Sequence, residues 1–216
     1  MLWEDNPVFP LYDFILIIQD VPDLDFDVDA DFVLVVEKDA VFQRLLEERM
    51  FSKRMFSRAV MVTGKGVPDL ATRQLVHHLA VVLPVLILTD CDPYGFEIFL
   101  TYKFGSLASS YSQEPLAAPF SWWLGVHPAD MQDLDSSLQD FSVADRKRIL
   151  DINEREYIRT NPILQRHVDL MWDMKVKAEI QQVFEENEPG YLVNTYLPVK
   201  FNELEQLLSN PGFTEV

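Results

Sequence analysis

The 216 residues hold a single cysteine, Cys91, so no disulfide can close within the chain, and a reducing compartment suits the composition. Uninterrupted apolar runs fall well short of the ~20 residues that a bilayer-crossing helix needs, and the opening MLWEDNPVF lacks the basic flank of a signal peptide. A soluble cytosolic or nuclear protein with no membrane partner is expected. Basic residues are also scarce: 18 Lys and Arg stand against 35 Asp and Glu, a net charge of -17. Such a chain as a whole repels phosphate, which argues against DNA as a stand-alone ligand. The acidity is partly local, because VPDLDFDVDAD places Asp23, Asp25, Asp27, Asp29 and Asp31 at every second position. That alternation predicts a solvated segment or edge with one wholly acidic face.

What is present is a core. With 48% hydrophobic residues the chain can bury one full domain. FVLVV (Phe32 to Val36), RAVMVTG (Arg58 to Gly64) and VLIL (Val85 to Leu88) read as strands buried in a sheet. Helical spacing follows each of them. AVFQRLLEERMF places Val41, Phe42, Leu45 and Leu46 on one face, the segment after GKG turns Leu70, Ala71, Leu75 and Leu79 inward, and GFEIFLTYKFG follows the third strand. Strand alternating with helix implies right-handed crossovers and a parallel sheet. The later half reads as helical: Ser142 or Asp145 can cap a helix bearing Ile149 and Ile152, a longer pattern runs from Ile163 to Phe184, and two short pieces are expected to split at Pro198. No internal repeat or second fold is visible.

In an open parallel sheet, sites form beyond the carboxyl ends of the strands. Glu37 ends the first strand, Gly64, Lys65 and Gly66 the second, and Asp90 and Asp92 the third. Residues two apart in extended chain face the same way, so Asp90 and Asp92 are aimed into one small volume, where like charges favour a shared proton or a bound cation. Three acids on one rim make an oxygen-donor set suited to Mg²⁺. The plainer reading is that Asp90 caps a helix and Asp92 primes a proline turn. Lys53, Arg54 and Arg58 cluster between the first helix and the second strand and are phosphate candidates, as is Lys65. Lys38 and Asp39 read as polar residues opening a helix rather than as supports behind the acid site, Cys91 as a packed thiol, His77 and His78 as one packed and one exposed, Trp122 and Trp123 as core and rim aromatics with base stacking as the alternative, and Arg146, Lys147 and Arg148 as a solvated helix face.

Five ordered blocks make the pattern familiar: VVEKDAVFQRLLEE, VTGKGVPDLATRQLVHHL, LTDCDPYGFEIFLTYKFGS, WLGVHPADM, and KAEIQ followed by YLPVK. Together, over about Phe32 to Phe201, they resemble the Toprim domain of the family formed by Spo11 and the A subunit of topoisomerase VI, and TDCDPYG with TYKFGS looks more like the eukaryotic meiotic branch than the archaeal one. The resemblance implies an α/β fold, a Toprim-type (Rossmann-like) parallel sheet flanked by helices with a C-terminal helical extension. It divides the chain into an acidic arm (1–30), a Toprim core (31–125) and a helical extension packed on that core (126–216). It implies Mg²⁺ held by Glu37, Asp90 and Asp92, duplex DNA as partner, a homodimer, a topoisomerase VI B-like ATPase partner and a nuclear location. Family members break both DNA strands in meiotic recombination through a tyrosine that attacks phosphorus.

Here the sequence departs from the family. The attacking tyrosine belongs to a winged-helix domain preceding the Toprim domain, and Tyr12, in PLYDFIL, does not match its motif. No catalytic nucleophile is identifiable, so whether the chain is itself an enzyme is open, and the chain reads as a fragment or shortened form. Two rivals stand beside this reading. One is a stand-alone metal nuclease that uses water, and the other is a non-catalytic dimerisation or assembly module.

Overall fold

A computed structural model describes residues 28–106, 116–133, 138–185 and 187–209. Most of the acidic arm, including Asp23, Asp25 and Asp27, as well as Tyr12 and the SLASSYSQ loop from Leu107 on, lies outside the described residues. Asp29 and Asp31 are exposed and paired to Arg58, at 2.7 and 2.8 Å.

Four parallel strands form the central sheet: β1 (Phe32–Val36), β2 (Ala59–Thr63), β3 (Val85–Leu88) and β4 (Ser121–Gly125), in the order β2-β1-β3-β4. Val36 stands level with Thr63 on one side and Leu88 on the other. The strands β1 and β3 are apolar at every position because both faces are covered. Alternation divides the core in two. Leu34, Val36, Leu86 and Leu88 face a layer with Val41, Phe42, Leu45 and Leu197. Val33, Val35, Val85 and Ile87 face Val76, Leu79, Phe96, Phe99, Ile149 and Val168.

The first layer is supplied by α1 (Asp39–Glu47) and α8 (Leu197–Leu208), the second by α2 (Leu70–Leu79), α3 (Pro93–Phe104), α4 (Val143–Asn153) and α6 (Pro162–Met174), with the short α5 (Glu156–Arg159) between the last two. Capping fixes where the helices begin: Asp69, Asp92, Ser142 and Asn161 each accept backbone N–H groups at a helix start. Ser142 is the cap of α4, and Asp145 completes a capping box with it.

The structure differs from the sequence reading in four places. The Trp pair lies in a fourth strand, β4. On α2 the inward face is turned, so Val76 and Leu79 are buried while Leu70 is exposed. The long helical pattern after Ile163 is broken: α6 ends at Lys175, which adopts a left-handed backbone (φ 55), and β6 (Val176–Lys177), paired with β5 (Gln139–Asp140), precedes α7 (Ile180–Glu185). Pro198 does not split the last helix. A π-helical turn over Leu192–Tyr196 runs straight into α8, whose first turn holds the proline, where a missing N–H is tolerated.

Candidate metal centre

Because β1 and β3 are neighbours, their carboxyl ends deliver Glu37 and the TDCD turn side by side. The Glu37 N–H donates to the Leu88 carbonyl (3.0 Å), and the Asp90 N–H donates to Glu37 Oε2 (2.9 Å). The glycine turn after β2 is stitched to the same residue, the Gly66 N–H donating to the Glu37 carbonyl at 2.8 Å. Gly66 takes φ 104, a conformation that suits glycine, and Lys65 beside it is left-handed at φ 54. All three strand ends expected to form the rim therefore meet there.

The two aspartates, expected to aim into one small volume, are held by different partners. Asp92 caps α3, accepting the Gly95 N–H at 2.6 Å. Asp90 is turned elsewhere: its Oδ1 accepts the Ile180 N–H (2.9 Å) and its Oδ2 pairs with Lys38 Nζ (2.8 Å). Gly95 is required where α3 meets the turn, since a Cβ there would lie 2.4 Å from the Asp90 carbonyl oxygen. Among the described residues, no three Asp, Glu, His or Cys side chains stand grouped as a metal-holding cluster.

A strap from the C-terminal half crosses this turn. Cys91 and Ala178 exchange backbone hydrogen bonds (3.0 and 3.2 Å), Ile180 reaches Asp90, and Glu179 Oε2 and Gln181 Oε1 accept from Lys38 Nζ at 2.8 and 3.2 Å. Lys177 pairs with Asp145 at 3.0 Å.

The electrostatics follow from burial. Glu37 is pushed up to about 7, first by burial and then by the charge of Asp90, with Asp92 adding to it. Asp90 is raised by burial against the opposing hydrogen bonds of Ile180 and Lys38. Asp92 is likewise raised by burial, partly offset by Gly95, with the charge of Asp90 adding to the rise. Burial would lower Lys38, but its bonds to Asp90 and Glu179 outweigh that and raise it. These are hard oxygen donors held near one another against their charge, and by donor chemistry they fit a divalent cation such as Mg²⁺ once Asp90 and Asp92 turn from their present partners.

The other predicted residues fall out unequally. Lys65 stays at the rim, exposed, with Asp39 3.7 Å away. Lys53, Arg54 and Arg58 precede β2, so they sit at the amino end of the sheet, away from the acids, and Arg58 is committed to Asp29 and Asp31. Cys91 is fully buried, and its thiol is raised by burial. His77 Nδ1 donates to the Ala117 carbonyl (2.6 Å), and His78 is exposed. Trp123 is core, its Nε1–H donating to Thr89 Oγ1 at 2.8 Å, and Trp122 is partly buried. Arg148 is no solvated cation: it lies 4.2 Å over the Tyr94 ring and pairs with Glu97.

Sequence reasoning missed the contacts of Lys38, the strap, and a group in which the buried Lys200 joins Asp130 and the exposed Glu203 while the Tyr196 hydroxyl donates to Asp130 at 2.8 Å. Lys38 beside Glu37 was the visible signal for the first.

Residues 32–201 match the family model described as the Toprim domain of the topoisomerase 6 A subunit and Spo11. The mouse meiotic recombination protein SPO11 is 45% identical over 177 residues, covering 80% of this chain and 44% of the relative. The Drosophila melanogaster meiotic recombination protein W68 is 36% identical over 175 residues, 80% of this chain and 50% of the relative. The A subunit of type 2 DNA topoisomerase 6 from Methanocaldococcus jannaschii is 38% identical over 188 residues, 85% of this chain and 50% of the relative. The chain spans about half the length of the curated relatives it matches.

Proposed function

The chain belongs to the family of Spo11 and the topoisomerase 6 A subunit, and from that premise we propose that it is the metal-binding Toprim portion of a protein that makes meiotic DNA double-strand breaks in the nucleus. The observation that carries the reading is the position of Glu37, Asp90 and Asp92 just past the carboxyl ends of two adjacent parallel strands, where Glu37 is pushed up to about 7 by burial and by the charge of the two aspartates. Glu37, Asp90 and Asp92 would hold Mg²⁺, and the bound ion supplies positive charge that steadies the DNA phosphates. Lys65 adds a point charge at the same rim. Among the described residues Tyr102 and Tyr196 are buried, and burial pushes both hydroxyls up, so neither is a ready nucleophile. In keeping with the family resemblance, the attack on phosphorus would fall to a tyrosine outside the Toprim portion.

The division into an acidic arm (1–30), a Toprim core (31–125) and a helical extension (126–216) belongs to the same proposal. So do duplex DNA, a second copy of the chain and a topoisomerase VI B-like ATPase as partners. Calorimetric titration of Mg²⁺ into the wild type and an Asp90→Asn, Asp92→Asn double variant tests the metal claim. Saturable binding by the wild type that the double variant loses is expected; equal heats from both would reject it.

A further inference from the structure

The acid rim already contains a cation of its own. Lys38 follows Glu37 directly, yet its ammonium turns across the rim, 2.8 Å from Asp90 Oδ2, 2.8 Å from Glu179 Oε2 and 3.2 Å from Gln181 Oε1. Only a quarter of its side chain is exposed, and the Asp90 side chain is one-tenth exposed, so the pair is shielded enough to be strong. The partners belong to two different parts of the chain. Asp90 is one of the residues to which the metal reading assigns the ion, whereas Glu179 and Gln181 flank Ile180, whose own N–H holds the second oxygen of Asp90. A carboxylate with one oxygen on a lysine and the other on a backbone N–H has its charge and a lone pair of each oxygen engaged before any ion arrives.

We propose that Lys38 is a positioning residue, a built-in counter-ion that competes with the divalent cation for Asp90 and ties the 177–181 strap to the state of the metal site. This rests on the metal reading above. When Asp90 is taken by a divalent cation, Lys38 gives up that carboxylate and keeps Glu179 and Gln181, so the strap remains fastened to the residue after Glu37 while its grip on Asp90 loosens. The positive charge of Lys38 therefore lowers cation affinity and confines occupancy to conditions where the ion is plentiful.

The test uses the whole 216-residue chain, the Lys38→Met variant, which keeps the apolar stem, and Lys38→Arg, which keeps the charge. Mn²⁺ binding is followed by calorimetry and by its electron paramagnetic resonance signal. Amide exchange is followed over 177–182, with circular dichroism confirming the fold. Lys38→Met is expected to bind Mn²⁺ about tenfold more tightly, the effect of an interaction of about one pKa unit. Lys38→Arg should stay near the wild type. Without metal, exchange at Ile180 should rise in Lys38→Met, because the strap has lost one of its ties. Wild-type binding with no gain in a folded Lys38→Met would overturn the counter-ion role alone. Silence toward Mn²⁺ from all three proteins would overturn the metal reading, and unchanged Ile180 exchange would overturn the coupling to the strap.

Discussion

Glu37 is protonated in the folded chain up to about pH 7, whereas in the unfolded chain it ionises near 4.5. The folded state thus binds the proton more tightly, and the stability this contributes is present below about 4.5 and lost as pH rises through about 7. The buried histidines slope the other way. His167, pushed down to about 3 by burial and then by the charge of His127, favours the fold above its ordinary value and weakens it as pH falls. Because the two trends overlap, the informative quantity is a difference between proteins. In EDTA, Glu37→Gln should gain stability over the wild type between about pH 5 and about pH 8, reaching roughly 1 to 3 kcal/mol at the upper end. Urea unfolding at several pH values reads this, and a difference independent of pH would contradict it. At this scale the position of the three acids was legible because strand ends mark it, but the two-residue spacing did not foretell the separate partners of Asp90 and Asp92. Lys38 was not, since its partner Glu179 lies 141 positions away and no local spacing announces such a contact.

At the scale of elements, the junction of β3 and α3 carries the most constraint. TDCDPYG ends a buried strand, caps the helix with Asp92, starts it with Pro93 and brings Gly95 against the Asp90 backbone. Replacing Gly95 by alanine puts a methyl group 2.4 Å from a backbone carbonyl that cannot swing aside. Gly95→Ala should therefore lose about 2 kcal/mol or more, as overpacking against fixed structure does. A midpoint of urea unfolding equal to the wild type would refute the close approach. The first three strands and three helices could be read from the sequence because apolar runs and helical spacing alternate cleanly. Strand β4 could not, since SWWLG is aromatic-rich and lacks the run of branched apolar residues that marks β1 and β3. The breaks around β6 depend on a left-handed Lys175 and on a strand of two residues, neither of which leaves a periodic trace.

Over the whole molecule, a net charge of -17 makes approach to DNA unfavourable except where cations stand. The carboxyl edge of the sheet holds Lys65 together with the acid site, so a bound ion would reverse the local sign there. Lys53 and Arg54 precede β2 and so lie at the opposite end of the sheet from the acids. The C-terminal half is part of the site as well as of the core, through the strap and through Leu197 and Phe201 packed under the sheet. No helix among the described residues is long and apolar enough to cross a membrane.

The central claim is that Glu37, Asp90 and Asp92 form one cation site at the carboxyl edge of the sheet. Paramagnetic broadening of assigned backbone amides by substoichiometric Mn²⁺ tests it most directly. Broadening is predicted to centre on Glu37, on Thr89 to Gly95 and on the strap around Ile180, and to vanish with excess EDTA. Broadening spread over the exposed acids, with the carboxyl edge left sharp, would contradict it.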